Sequence, residues 1–263
     1  MIEVVSFSKI YGSPGGEHAV RDLSFTVAPS DILGLVGPNG AGKTTTLRAM
    51  AGILRPTSGL IRIGGFDVVK EPVRAKRLLA MVPDTPNPYE MLTVREHLEF
   101  ARLAYAVDDG RDPEELLARF ELDGKRDELC GSLSRGMRQK LAICCALLHR
   151  PAALLLDEPL TGLDPHGTRV MRDAIAGAAA EGAAIVVSSH QLELVERVCT
   201  RVLLVKKGRK VVEGTLDEIR AFAALGAAAT LEEVFFKLVD DAPRAATDGA
   251  ADPSALPGDC GAR

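Results

Sequence analysis

The sequence predicts an α/β fold: a core of mainly parallel sheet wound with helices, an antiparallel β flank and an inserted helical subdomain. Three observations lead there. Short apolar runs of strand length recur at 2–7, 23–27, 32–36, 60–63, 79–82, 153–156, 184–187 and 201–205, with alternation or β-branching. Between several of them lie helical patterns at 43–51, 93–104, 113–121, 134–149, 166–180 and 193–198. Buried runs alternating with helices are the pattern of a parallel sheet covered on both faces, and the opening strands predict the antiparallel flank.

The organisation follows from composition. A chain of 263 residues, 46% hydrophobic and 26% charged, is neither disordered nor fibrous, and its length suits one large domain with at most a small appendage. The stretch 71–131 has fewer strand signals and more helix, around the loop Pro83-Asp84-Thr85-Pro86-Asn87-Pro88-Tyr89. It reads as a helical subdomain inserted in the sheet, at about 84–150. After Gly214, helical patterns at 216–224 and 231–239 form a C-terminal appendage and close a domain spanning 1–239. From 240 to 263 the single large apolar side chain is Leu256. Little can be buried there to offset ordering entropy, so a disordered tail is expected.

Charge and cysteine usage exclude several classes. Thirty-two basic against 36 acidic side chains give a net charge of −4, which argues against a nucleic-acid partner, because that binding needs surplus positive charge. Cys130, Cys144, Cys145, Cys199 and Cys260 are odd in number and lack paired metal-ligand spacing, so they read as reduced thiols of a cytosolic chain. No stretch approaches the roughly 18 to 20 apolar residues of a membrane span, and the acidic, apolar start Met1-Ile2-Glu3-Val4-Val5 is unlike a signal peptide. The cluster Lys206-Lys207-Gly208-Arg209-Lys210, between apolar runs, reads as a hairpin turn with solvated charges, lipid headgroup contact being the alternative.

The chemistry begins at Gly37-Pro38-Asn39-Gly40-Ala41-Gly42-Lys43-Thr44. Gly, four residues, Gly, Lys, then Ser or Thr is the P-loop pattern, here with a strand before it and a helix after it. Backbone N–H groups and the helix's positive end converge there on an anion. Lys43 is expected to reach the β and γ phosphates and Thr44, followed by Thr45, to hold Mg²⁺ through its hydroxyl. A P-loop alone leaves kinases, GTPases and many ATPases open. The run 153–156 is a buried strand that ends in Asp157 and Glu158, and ligands of α/β sheets sit at the carboxyl ends of strands. Asp157 is expected to position Mg²⁺. Glu158, pointing differently because strand side chains alternate, is expected to polarise an attacking water.

Further elements in a fixed order make the chain resemble the ATP-binding subunit of an ABC transporter, over about residues 1–239. Ser132-Leu133-Ser134-Arg135-Gly136-Met137 resembles that family's signature motif, with Arg135 and Met137 standing where Gly and Gln are commonest. Ser134 can cap the following helix and Gly136 lets backbone approach a phosphate closely. Leu160-Thr161-Gly162-Leu163-Asp164 resembles the D-loop, and Asp164 before Pro165 is also an ordinary helix cap. Ser188-Ser189-His190 resembles the switch histidine that contacts the γ-phosphate. Tyr11 lies where the family stacks an aromatic on adenine, and Val20 is expected to add apolar contact. Where the family carries a lid glutamine this chain has Asp84, a hard oxygen donor for Mg²⁺ that repels the γ-phosphate when the metal is absent.

The resemblance implies ATP and Mg²⁺ as cofactors, and two chains, copies or paralogues, that sandwich two ATP molecules. Each chain's signature motif then serves the other's P-loop. It further implies separate transmembrane permease subunits docked near residues 84–91 and a peripheral location on the cytoplasmic face of the membrane. The Met-containing signature and the closing helices resemble subunits of two-component exporters of the ABC-2 type. A soluble ABC-type ATPase of translation or DNA repair is the alternative, but such proteins usually carry two modules or a long coiled-coil insertion.

Overall fold

The computed structural model describes residues 1–12, 16–107 and 111–240, the last two by their backbone. The expected disordered tail, Asp240 apart, and Cys260 fall outside the described residues. The chain opens with the hairpin β1 (Ile2–Tyr11) and β2 (Glu17–Val27), then β3 (Ile32–Val36) and α1 (Lys43–Met50). There follow β4 (Ser58–Ile63), β5 (Phe66–Asp67), α2 (Pro72–Arg77) and β6 (Leu79–Val82). Helices α3 (Val94–Ala104), α4 (Pro113–Arg119) and α5 (Arg135–Leu147) lead to β7 (Ala153–Asp157), α6 (Pro165–Ala180), β8 (Ala184–Ser189) and α7 (Leu192–Val198). The hairpin β9 (Arg201–Lys206) and β10 (Arg209–Gly214) precedes α8 (Leu216–Phe222) and α9 (Leu231–Asp240).

Two sheets result. One is antiparallel, in the order β2-β1-β4-β5; the other runs β10-β9-β3-β8-β7-β6. In the second, β3 pairs in parallel with both β8 and β9, and β7 with both β8 and β6. Only β10 is antiparallel there, and it returns through Lys207 and Gly208, both at positive φ, the two-residue turn whose twist suits a hairpin. The basic cluster 206–210 is therefore a hairpin turn.

Burial on both faces explains the uninterrupted apolar runs. Along β7, Ala153 and Leu155 join the core beneath the antiparallel sheet and α1, whereas Leu154 and Leu156 join the core shared with α3 to α6. Along β8, Ala184 and Val186 take the first side and Ile185 and Val187 the second, as the two-residue period of a strand requires. Each such leucine, isoleucine or valine contributes about 1.5–3 kcal/mol by leaving water, and each alanine less. The helices between β6 and β7 thus share the sheet's own core through Leu98, Leu117 and Ile143. A third core joins Val195 of α7 to Ile219 of α8 and Val234 of α9.

The helix starts are locally encoded. Thr93 and Glu96 form a reciprocal capping box on α3, and Thr215 with Glu218 does the same on α8. Two elements lack an expectation from sequence: β5, of two residues, and α2, of six, are too short to express a period. The first hairpin is also longer than its apolar runs, because Lys9↔Val20, Ile10↔His18 and Tyr11↔Glu17 extend the ladder through polar residues.

Candidate nucleotide-binding site

The loop 37–44 joins β3 to α1, and its conformation depends on residues without side chains. Gly40 and Gly42 have φ of 77° and 97°. A Cβ on Gly42 would lie 2.5 Å from the Ala19 carbonyl oxygen of β2, so only glycine fits there. Lys43, the first residue of α1, is 8% exposed and folds back over the loop. Its Nζ donates to the carbonyls of Gly37 at 2.7 Å and Pro38 at 3.3 Å. Burial pulls its pKa below the ordinary lysine value, opposed by the charges of Glu158 and Asp157.

Above this loop opens a cleft of about 570 Å³ at the carboxyl ends of β3, β7 and β8. Residues 39–45 form its floor, Tyr11, Glu17 and Ala19 one wall, and Asp157, Glu158, Thr161 and His190 another, with Asp84 and Arg135 at the remaining side. The topology thus gathers segments from six places in the sequence at one sheet end, where ligands of α/β sheets bind.

The acids are held differently. Asp157 is 3% exposed and accepts a hydrogen bond from the Ser188 hydroxyl of β8. Glu158 leaves the strand at a left-handed φ of 49°, a conformation that costs energy for a residue with a Cβ. Its N–H donates to the Ser188 carbonyl at 3.1 Å. The Glu158 carboxylate meets His190 Nδ1 at 2.8 Å, while the Ser189 hydroxyl and the His190 N–H each donate to it from 3.4 Å. The donor set suits Mg²⁺: Thr44 and Asp157 are hard oxygens on one cleft, and Mg²⁺ characteristically takes one or two protein ligands, completing its octahedron with phosphate and water.

The other sequence-derived residues divide. Tyr11 lines the cleft, its hydroxyl 3.5 Å from Thr45 Oγ1. Val20 does not: it is 1% exposed in the core of the antiparallel flank, because alternation along β2 turns it inward. Ala19 and Glu17 face the cleft in its stead. Gly37 and Pro38 line a second cavity of about 360 Å³ on the loop's other side, bounded by Phe235 and Phe236 of α9. Ser134 caps α5, accepting from the Met137 N–H at 3.3 Å, and Asp164 caps α6, accepting from the Gly167 N–H at 2.7 Å. Ser134, Gly136, Met137 and Asp164 are not among the residues lining this chain's own cleft, whereas Arg135 reaches it. Arg135 Nη2 lies 3.5 Å from Asp84 Oδ1.

Glu17, Ala19, Thr161 and Ser188 are the cleft or supporting residues that sequence reasoning missed. Ser188 had a legible signal, a hydroxyl at the strand end two residues before His190. Glu17 and Ala19 had none, since they depend on where the first hairpin crosses the loop.

With this geometry in hand, comparisons with known proteins agree. The ABC transporter family profile matches residues 20–161. The ABC-type transporter ATP-binding protein EcsA of Bacillus subtilis is 32% identical over 91% of this chain and 98% of its own length. The Nod factor export ATP-binding protein I of Paraburkholderia xenovorans is 37% identical over 80% of this chain and 70% of its own. A solved structure of an ATP-binding subunit of an ABC transporter superposes with a TM-score of 0.84 at 34% identity, covering 90% of this chain and 99% of that one. A P-loop under a carboxylate-lined cleft, on a fold shared over nine-tenths of the chain, makes this protein a member of the ABC transporter family, an ATP-binding and ATP-hydrolysing subunit.

Proposed function

We propose that the chain powers an exporter as one of a pair of ATP-binding subunits, homodimeric or paired with a paralogue, on the cytoplasmic face of a membrane beside separate permease subunits. Export is suggested by the relatives of Nod factor export. A separate permease fits the finding that, among the described residues, no helix is long and apolar enough to cross a membrane. Nucleic acid is not a proposed partner, given the net charge of −4. The working division is a domain over 1–239, with a helical subdomain at about 84–150 and a helical appendage at about 215–239.

In this reading Tyr11 stacks on the adenine and residues 37–45 wrap the phosphates with backbone N–H groups, Lys43 leaving its two carbonyls for the β and γ phosphates. Thr44 and Asp157 hold Mg²⁺, with Asp84 a third oxygen donor at the rim. The metal, when bound, neutralises developing phosphoryl charge. Glu158 accepts a proton from the water that attacks the γ-phosphorus, the bond to the β-phosphate oxygen breaks, and ADP and phosphate leave. His190 steadies Glu158 and contacts the γ-phosphate. The observation that carries the paired arrangement is the direction of the signature: Ser134, Gly136 and Met137 lie off the chain's own cleft, leaving a capped helix start free to face another chain's nucleotide. Asp164 follows the crossing segment between the two.

Glu158→Gln tests this. The variant is expected to lose about 10²- to 10⁴-fold in hydrolysis and to accumulate as an ATP-bound dimer in size-exclusion chromatography with light scattering. A strictly monomeric variant hydrolysing at the wild-type rate would refute it.

A further inference from the structure

The cleft holds a cation that its P-loop does not explain. We infer that Arg135 acts in cis: its guanidinium exchanges Asp84 for the terminal phosphate of the nucleotide bound to its own chain, before any second subunit closes. The inference rests on the ATP-binding reading of loop 37–44 and adds to the in-trans role of the signature.

Three features aim this side chain. Arg135 is the first residue of α5, immediately after the Ser134 cap, so its backbone is fixed. Its stem lies across Gly162, where φ is 82° and an added Cβ would come within 3.3 Å of Arg135 Cδ. The guanidinium then reaches Asp84, 51 residues away in sequence, and both line the cleft with Lys43.

The pair is built to exchange. Its side chains are 55% and 49% exposed, and ion pairs that open to solvent are worth about 0–1 kcal/mol. A phosphate offers the guanidinium two parallel charge-assisted bonds, which are stronger. Electrostatics favours the switch. Four carboxylates face the cleft, Glu17, Asp84, Asp157 and Glu158, against the basic side chains Lys43 and Arg135. A triphosphate adds three to four further negative charges at about neutral pH, so a guanidinium held only by an exposed ion pair is drawn to it.

The test uses the full chain, dilute and verified monomeric by light scattering, with ATP or ADP in excess chelator so that neither pairing nor turnover contributes. Arg135→Gln is expected to weaken metal-free ATP about tenfold and ADP less than about threefold, with Arg135→Lys intermediate. Asp84→Asn is expected to tighten ATP several-fold, and by less when Arg135→Gln is also present. ATP affinity within about twofold of wild type for Arg135→Gln, equal losses for ATP and ADP, or equal tightening by Asp84→Asn in both backgrounds would overturn the inference. Unchanged melting temperatures exclude misfolding as the cause. Wild-type protein that binds no ATP with or without Mg²⁺, and no better than Lys43→Ala, would instead sink the reading on which the inference rests.

Discussion

His190 Nδ1 sits 2.8 Å from the Glu158 carboxylate, and the His190 backbone N–H donates to the same oxygen at 3.4 Å. The two residues are 32 apart in sequence, on the ends of neighbouring parallel strands, and the contact holds Glu158 while it occupies a left-handed backbone conformation. His190→Ala removes the imidazole and keeps the backbone bond. We expect kcat to fall about 10²-fold with the KM for ATP changed much less, because the γ-phosphate loses one contact while the phosphate-binding loop is untouched. Steady-state ATPase assays with parallel nucleotide-binding titrations check this. An undiminished kcat would mean that the histidine only decorates the cleft.

The signature's glycine is governed by a close approach. A Cβ at Gly136 would stand 2.9 Å from the Gly162 carbonyl oxygen, so Gly136→Ala must push the start of α5 from the 161–164 loop. Overpacking of this kind costs the fold about 1–3 kcal/mol, and the displaced helix start misaligns the surface proposed to face the second chain, so subunit pairing is expected to fall at least about tenfold. Light scattering of the Glu158→Gln background with and without Gly136→Ala measures the loss, and equal dimer fractions would contradict it.

How much of this was legible beforehand depends on the range of the cause. The boundaries of β3 and β6 were readable because burial on both faces leaves an unbroken apolar run. The P-loop was readable because its glycines and lysine are local. The inward face of Val20 was not readable, because apolar character does not tell which face of a hairpin a residue occupies. Its neighbours Glu17 and Ala19 became cleft residues through the crossing of β2 over Gly42. The left-handed turn at Glu158 and the Arg135–Asp84 contact had no sequence signal, since both depend on how distant segments dock.

A pH dependence follows from Cys144. It is fully buried, and that burial above all pushes its thiol well above the ordinary range. An unfolded thiol ionises near about 8.5. Above that pH the unfolded chain releases a proton that the folded chain keeps, so the folded state is favoured fully below the unfolded value and loses ground as pH rises toward the folded one. The slope is about 1.4 kcal/mol per pH unit for one thiol, or about 3–6 °C in melting temperature. Thermal unfolding of wild type and Cys144→Ala between pH 8 and pH 10 should therefore converge by about that much per unit as alkalinity rises. Parallel curves would show that the thiol keeps its proton in neither state or in both.

The last prediction concerns the surface proposed to meet the permease. Met91 is 84% exposed and Tyr89 58% exposed. Tyr89 meets Phe100, itself 45% exposed, edge-on at 5.0 Å between ring centroids, with His97 stacked behind. Isolated exposed apolar side chains need no explanation, but neighbouring ones, here Tyr89 and Phe100 in ring contact, suit the surface proposed for a partner. The patch belongs to α3 and the loop before it, outside the residues that line the ATP cleft. Covering one methionine contributes about 1.5–3 kcal/mol, and a carboxylate in its place reverses that gain. Met91→Asp should therefore leave the ATPase of the isolated chain within about twofold of wild type, while copurification with the membrane subunits, and their stimulation of hydrolysis, fall at least about tenfold. Stimulation at the wild-type level would move the docking surface elsewhere on the subunit, and loss of the isolated activity would mean that the substitution had disturbed the fold rather than an interface.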